Sequence, residues 1–213
     1  VTTKERILHT ALELFNESGP ETVTVRHIAA AMGISHGNLC YHYPNTDTIV
    51  RALYDALVKE LDSVVETSQT ESAALFEQPE NVLAMVLKQS RRGFEIMYRY
   101  RFVLLHFHSI MRNDEYILKH FRELTDRRTQ QFRMMVDFLM HSGLVRKEHF
   151  PGEFDYLIEL QLLAGDGWVA RAELVRKMGK TEAINYFTDV VLAPWIAVMT
   201  ERGIKWYLEA KKK

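Results

Sequence analysis

The tightest constraint in this sequence is the punctuation between residues 19 and 45. Gly19-Pro20, Thr24, Gly33, Ser35 and Pro44-Asn45 leave room only for short elements between them. Thr24 and Ser35 offer hydroxyl oxygens to the free N–H groups of a first helical turn. Gly33 suits the left-handed backbone that ends a helix. Val25, Ile28, Ala29 and Met32 form one short apolar face. Ile34 before the cap and Leu39 after it make a hydrophobic staple that fixes how the chain enters the next helix. The spacing predicts helices over 25–32 and 36–43.

Upstream, Thr2 and Glu5 make a capping box, and Ile7, Ala11, Leu14 and Phe15 repeat with the helical period. A first helix is expected over 3–18, ended by a left-handed Gly19 and by Pro20. Downstream, Asp47 lies in a first turn, where the macrodipole favours an acid. Ile49, Leu53, Ala56, Leu57, Leu61 and Val64 then mark a long amphipathic fourth helix. Two short capped helices joined by a tight glycine turn, with a third covering them, form a helix-turn-helix. The small residues Ala29, Ala30, Ala31 and Gly33 are expected to let the two helices pack closely. Such a mount can hold a helix N-terminus outward, within reach of base edges. On spacing alone an ordinary three-helix bundle fits equally well.

Charge does not favour nucleic acid. The chain of 213 residues has a net charge of −1. Residues 1–66 carry five Lys/Arg against nine Asp/Glu, and the remainder 22 against 19. A basic footprint would be the ordinary sign of a DNA binder.

The motif itself points the other way. Residues 33–47, GISHGNLCYHYPNTD, resemble the DNA-binding signature of the TetR family of bacterial repressors at Gly33, Ile34, Ser35, Gly37, Leu39, His42, Tyr43 and Asp47. Ala11, Phe15, Gly19, Thr24, Ile28 and Ala29 fit the same family upstream, so the resemblance runs over about a quarter of the chain. It implies a regulator, expected to be a ligand-responsive repressor that binds palindromic double-stranded DNA as a dimer. It implies that Arg26 reaches a base or phosphate, and that Thr24 and Ser35 bring capped helix N-termini to phosphates. His36, Gly37 and Asn38 would face base edges, with Tyr41 and His42 flanking the groove. Leu39 and Tyr43 would point into the core. The family usually has Tyr at Cys40 and Lys at Thr46, so the departures imply a weaker hold on the DNA backbone or a different docking angle. Four histidines (His9, His27, His36 and His42) lie in the first 50 residues. Imidazole gains charge below neutrality, so DNA affinity is expected to rise from about pH 8 to 6.

The rest of the chain reads as helix, making the fold all-α. The divisions expected are a helix-turn-helix domain over 1–45, a linking helix over 46–66, and a helical ligand-binding and dimerisation domain over 67–213. Residues 67–80 read as a loop, with Pro79 opening the next helix. Helices are expected over 80–97, 100–111, 114–141, 153–178, 181–200 and 202–210, with Thr181 as a cap and a kink at Pro194. No secretory leader is visible in a chain that begins at Val1. The longest charge-free apolar run, Val190 to Met199, is half the roughly 20 residues a spanning helix needs. No membrane association and a cytoplasmic location are therefore expected.

Catalytic motifs are missing, so no enzyme activity, cofactor or metal is expected. Gly165 to Ala170 fits a dinucleotide pattern formally, but the residues before it read as helix and not strand. His106 and His108 fall on different helix faces. The resemblance does imply an apolar effector cavity in the helical domain, for which Phe94, Tyr98, Phe102, His106, Phe132 and Trp168 are candidate linings. Arg101 and Asp137 join His106 as candidate polar anchors. The helices over 153–178 and 181–200 carry more apolar residues than one core needs (Leu157, Leu160, Leu163, Trp168, Val190, Val191, Trp195 and Val198), which points to a homodimer interface there. The rival reading is an all-helical small-molecule binder or enzyme whose helix-turn-helix serves only packing.

Overall fold

The computed structural model describes residues 2–76 and 79–212, with side chains outside 66–80. Among the described residues run eleven α-helices and no strand. They are α1 (Thr3–Ser18), α2 (Val25–Met32), α3 (His36–His42), α4 (Thr46–Phe76), α5 (Pro79–Arg99), α6 (Arg101–Leu105), α7 (Phe107–Asn113), α8 (Glu115–His141), α9 (Glu153–Ala170), α10 (Lys180–Ile196) and α11 (Glu201–Ala210). A π-helical segment, Arg171–Val175, continues α9. The chain divides into two compact units. The first holds Val1–Glu60 with Ile96–His120, and the second Leu61–Glu95 with Phe121–Lys213.

In the first unit the caps act as their chemistry requires. Thr2 Oγ1 accepts the Glu5 N–H at 3.2 Å, and Glu5 accepts the Thr2 N–H at 2.7 Å. Gly33 adopts φ 67°, ψ 29°, the left-handed end expected for α2. Gly19 differs. Its φ of 78° comes with ψ 151°, outside the left-handed helical region. A Cβ there would fall 2.6 Å from His106 Cε1, a side-chain tip that can shift, so the positive φ is what favours glycine. The alanine expectation holds only for Ala29, which is buried. Ala30 and Ala31 are exposed, and nothing lies near Gly33, whose role is its backbone conformation. Ile7, Phe15, Ile28, Leu39, Ile49 and Phe102 form the fully buried centre of this unit.

Elsewhere the helices depart from expectation where tertiary contacts intervene. The expected loop over 67–80 is helix as far as Phe76 and again from Pro79, while 77–78 lie outside the described residues. The helix expected over 100–111 breaks at His106, which leaves helical geometry (φ −107°) as its ring pairs with Glu21. The helix expected to reach 178 widens into the π turn, where the Arg176 N–H bonds to the Arg171 carbonyl, and Lys177 then takes φ 52°. Gly179, not Thr181, occupies the cap position of α10. Pro194 lies inside α10, which ends two residues later in i→i+3 bonds from Ala197 to Pro194 and from Val198 to Trp195.

The second unit has its own core, built on Val82, Leu83, Val136, Leu144, Phe154 and Ile158. A bidentate pair from Arg146 to Glu153 (2.8 and 2.6 Å) and the His149 N–H fix the start of α9, and hold the Glu153 carboxyl down at about 2. Gly203 of α11 packs on the Leu144 backbone, where an added Cβ would fall 2.1 Å from the carbonyl oxygen. Backbone cannot give way as a side-chain tip can. Gly203→Ala is expected to destabilise the fold by roughly 1–3 kcal/mol, as overpacking does, measured by denaturant unfolding.

Candidate nucleic-acid interface

The candidate interface is the exposed side of α2 and α3. Ser35 Oγ accepts the Asn38 N–H at 3.2 Å, which fixes the first turn of α3. His36, Gly37 and Asn38 of that turn are all exposed, as are Thr24, Arg26 and Ser35. Tyr41 is 85% exposed, with the half-buried His42 ring edge-on to it at 5.2 Å. Leu39 and Tyr43, by contrast, are buried and tie the helix down from beneath. A row of polar side chains thus stands outward on a helix whose other face is locked. Cys40 Sγ lies 3.4 Å from His36 Nε2 on the same side.

Two polar groups of this region are already committed. His27 completes the α2 capping box, its Nδ1 accepting the Thr24 N–H at 3.3 Å while Thr24 Oγ1 accepts the His27 N–H at 3.4 Å. Thr46 donates its hydroxyl to the Val23 carbonyl at 3.5 Å and anchors the start of α4.

The mount beneath extends into residues 96–120, which sequence spacing did not reveal. The Asn16 amide bridges the α5–α6 junction, donating to the Arg99 carbonyl (2.9 Å) and accepting the Phe102 N–H (3.0 Å). The Phe15 and Phe102 rings meet at 5.2 Å. Glu21 pairs with His106 at 2.8 Å, and its carboxyl is lowered, its hydrogen bonds and this partner outweighing an opposing effect of burial. The buried Asp114 caps α8 through Oδ1, which accepts the Ile117 N–H at 3.1 Å, and holds Arg51 of α4 through Oδ2. Tyr54 of α4 meets His120 Nδ1 at 3.2 Å, and Tyr116 donates to Asp55 at 3.1 Å.

The candidate effector residues are divided between the units. Tyr98, Phe102 and His106 belong to the first, where Phe102 and His106 are engaged by α1. Phe94, Phe132 and Trp168 belong to the second, where the Trp168 ring meets Phe94 (4.8 Å) and Phe187 (5.7 Å) in tilted contacts. Arg101 lies over Tyr98, and Asp137 pairs with Arg133. Trp168, Tyr186, Phe187, Arg171 and Arg176 line an open cleft of about 480 Å³ in the second unit. Burial, with Glu159 adding to it, pushes the Asp166 carboxyl up to about 6. Among the described residues no cluster of three metal-ligating side chains occurs, and no helix is long and apolar enough to cross a membrane.

A capped, outward-facing short helix on a glycine-turned mount, within an all-helical chain, defines a helix-turn-helix transcriptional regulator. Comparison with known proteins identifies the kind. Residues 7–53 match the family model of bacterial regulatory proteins of the tetR family, and residues 56–205 match that of a bacterial transcriptional repressor. The chain belongs to the tetR family. The class C tetracycline repressor protein of Escherichia coli is 36% identical over 67 residues, a match that spans 32% of this chain and 29% of that repressor. A TetR-family regulator from Marinobacter aquaeolei VT8 shares the fold with a TM-score of 0.80 at 22% identity, over 100% of this chain and 98% of the other. A putative regulator from Saccharomonospora viridis, solved in complex with choline, gives 0.71 at 18% identity, over 93% and 98%.

Two outcomes are expected. Ser35→Ala removes the α3 cap and lowers stability by about 1 kcal/mol, measured by thermal unfolding, while weakening DNA binding. Asp166 is held above its free value in the fold, so its ionisation as pH rises through about 6 works against folding. Asp166→Asn should therefore raise the melting temperature at pH 7.5 and leave it almost unchanged at pH 4.

Proposed function

We propose that this chain is a ligand-responsive repressor that binds a palindromic operator as a homodimer in the cytoplasm. The observation that carries the reading is the exposed, capped first turn of α3, with His36, Gly37 and Asn38 outward above a buried Leu39. In this reading Asn38 pairs with adenine through two hydrogen bonds and His36 donates to guanine. Tyr41, His42, Thr24, Arg26 and Ser35 hold the flanking phosphates. Residues 1–45 form the reading head, 46–66 the link, and 67–213 the sensing and pairing part, except that 96–120 pack with the head.

Pairing is supported by an exposed apolar stripe on α9. Tyr156, Leu160 and Leu163 recur on one face of α9, Leu174 is exposed in the π-helical segment that follows, and Tyr186 and Val190 of α10 are exposed as well. Trp168, Val191, Trp195 and Val198, expected on this face, are buried within the chain and serve its own core. Glu159 lies in the first half of α9, while Arg171 and Arg176 follow its end. An antiparallel crossing with a second copy sets acid against base, the self-complementarity a two-fold interface needs. Reading a palindrome requires the two α3 helices of such a dimer about 34 Å apart, one duplex turn.

Effector response is supported by the relatives. A neighbour was solved with choline, and SmeT, which gives a TM-score of 0.57, with triclosan. In this chain Phe94, Phe132 and Trp168 of the second unit are the linings we assign, with α4 as the lever that carries the response. Ile49 and Leu53 are too deeply buried to probe that lever without unfolding the head. Arg51, half-exposed and tied to Asp114, is the better handle.

The function is tested by footprinting the DNA upstream of the chain's own gene. A protected, two-fold symmetric site whose affinity falls steeply with salt is expected, and absence of protection would reject the reading. Leu163→Asp should yield a monomer by sedimentation and lose the symmetric footprint.

A further inference from the structure

We propose that Lys4 is a phosphate contact of the reading head, held at the end of α3 by the ring of Tyr43. The proposal rests on the DNA-binding reading above and adds to it a residue of α1. Affinity for a duplex comes largely from cations that neutralise phosphates, and this head has few. Its first 60 residues contain five, namely Lys4, Arg6, Arg26, Arg51 and Lys59. Arg51 is committed to the buried Asp114. Lys59 lies thirteen residues into α4, about 20 Å along the helix from its start. Position 46, at the corner where α3 hands over to α4, is a threonine engaged with the Val23 carbonyl.

Lys4 supplies a charge at that corner. Its Nζ stands 5.5 Å above the centre of the Tyr43 ring, and Lys4 itself is exposed. Tyr43 is the residue that ends α3, its N–H bonded to the Leu39 carbonyl at 2.9 Å and its side chain buried, so the platform is fixed. The face of an aromatic ring attracts an ammonium electrostatically, which narrows the range a long lysine would otherwise sample. The seven residues of α3 span about 10 Å, close to the roughly 12 Å width of the major groove. With His36 to Asn38 at the bases, the far end of α3 comes to the groove wall. Lys4 meets the phosphate ridge there.

A lysine that only knitted α1 to α3 would matter to stability alone, and salt dependence separates the two roles. The test uses a duplex selected by the wild-type chain from a random-sequence library, with affinity read by fluorescence anisotropy between 50 and 200 mM salt. Lys4→Gln should lower the slope of log affinity against log salt by about 0.9 per engaged head. Its deficit against wild type should shrink about 3.5-fold per engaged head across that range, about 12-fold for a dimer with both heads engaged. Lys4→Arg, which keeps the charge, should keep the slope. An unchanged slope in Lys4→Gln would overturn the proposal even if its melting temperature fell. Failure of the wild-type chain to enrich any duplex would overturn the DNA-binding reading and this assignment with it.

Discussion

A helix of seven residues cannot hold itself together in water. Nucleation costs more than so few hydrogen bonds return, and isolated helices well above this length are already marginal. The form of α3 is therefore imposed from outside. Ser35 satisfies one free N–H of its first turn, and Leu39 and Tyr43 bind its inner face to the core. Gly33 sets the angle at which the chain arrives. Shortness is what leaves the outer face free to carry exposed polar groups, because little apolar area on that face is needed for stability. The reading surface and its rigidity thus have one origin.

The core beneath is apolar, but the ties that set its register are polar. Asn16 satisfies the carbonyl that ends α5 and the N–H that opens α6 with a single amide. Asp114 divides its carboxylate between the first turn of α8 and Arg51 of α4. Apolar contacts tolerate small slides, whereas such hydrogen bonds are made or broken. Losing Asp114 would remove both the α8 cap and the Arg51 tie at once.

The reading head was legible in the sequence because its information is local. Thr2 with Glu5, Thr24, Ser35 and Gly33 each act within four residues of themselves, so spacing alone places three helices. The features that were not legible are set from a distance. Nothing near His106 in the sequence marks a helix break, and the partner its ring meets there is Glu21, 85 residues earlier. Phe102 reads as a cavity lining by composition, yet its partner is Phe15 of α1. The alanines 30 and 31 look like packing residues but face solvent, because an eight-residue helix has only one inner side. The same limit applies to the α9 stripe. Buried and exposed apolar residues alternate around that helix, and sequence cannot tell a core face from a pairing face when both are rich in leucine.

Scarcity of cations on the head has its own logic. Non-specific binding to DNA is almost wholly a phosphate effect, while base contacts add on top of it. A head with many free lysines holds every sequence well. One that has tied up Arg51 and placed threonine at position 46 loses more from the non-specific hold than from base recognition. What a regulator needs is the ratio between the two. The acidic balance of residues 1–66, which seemed to argue against nucleic acid, is thus compatible with a discriminating reader, provided the few remaining cations are fixed where phosphates pass.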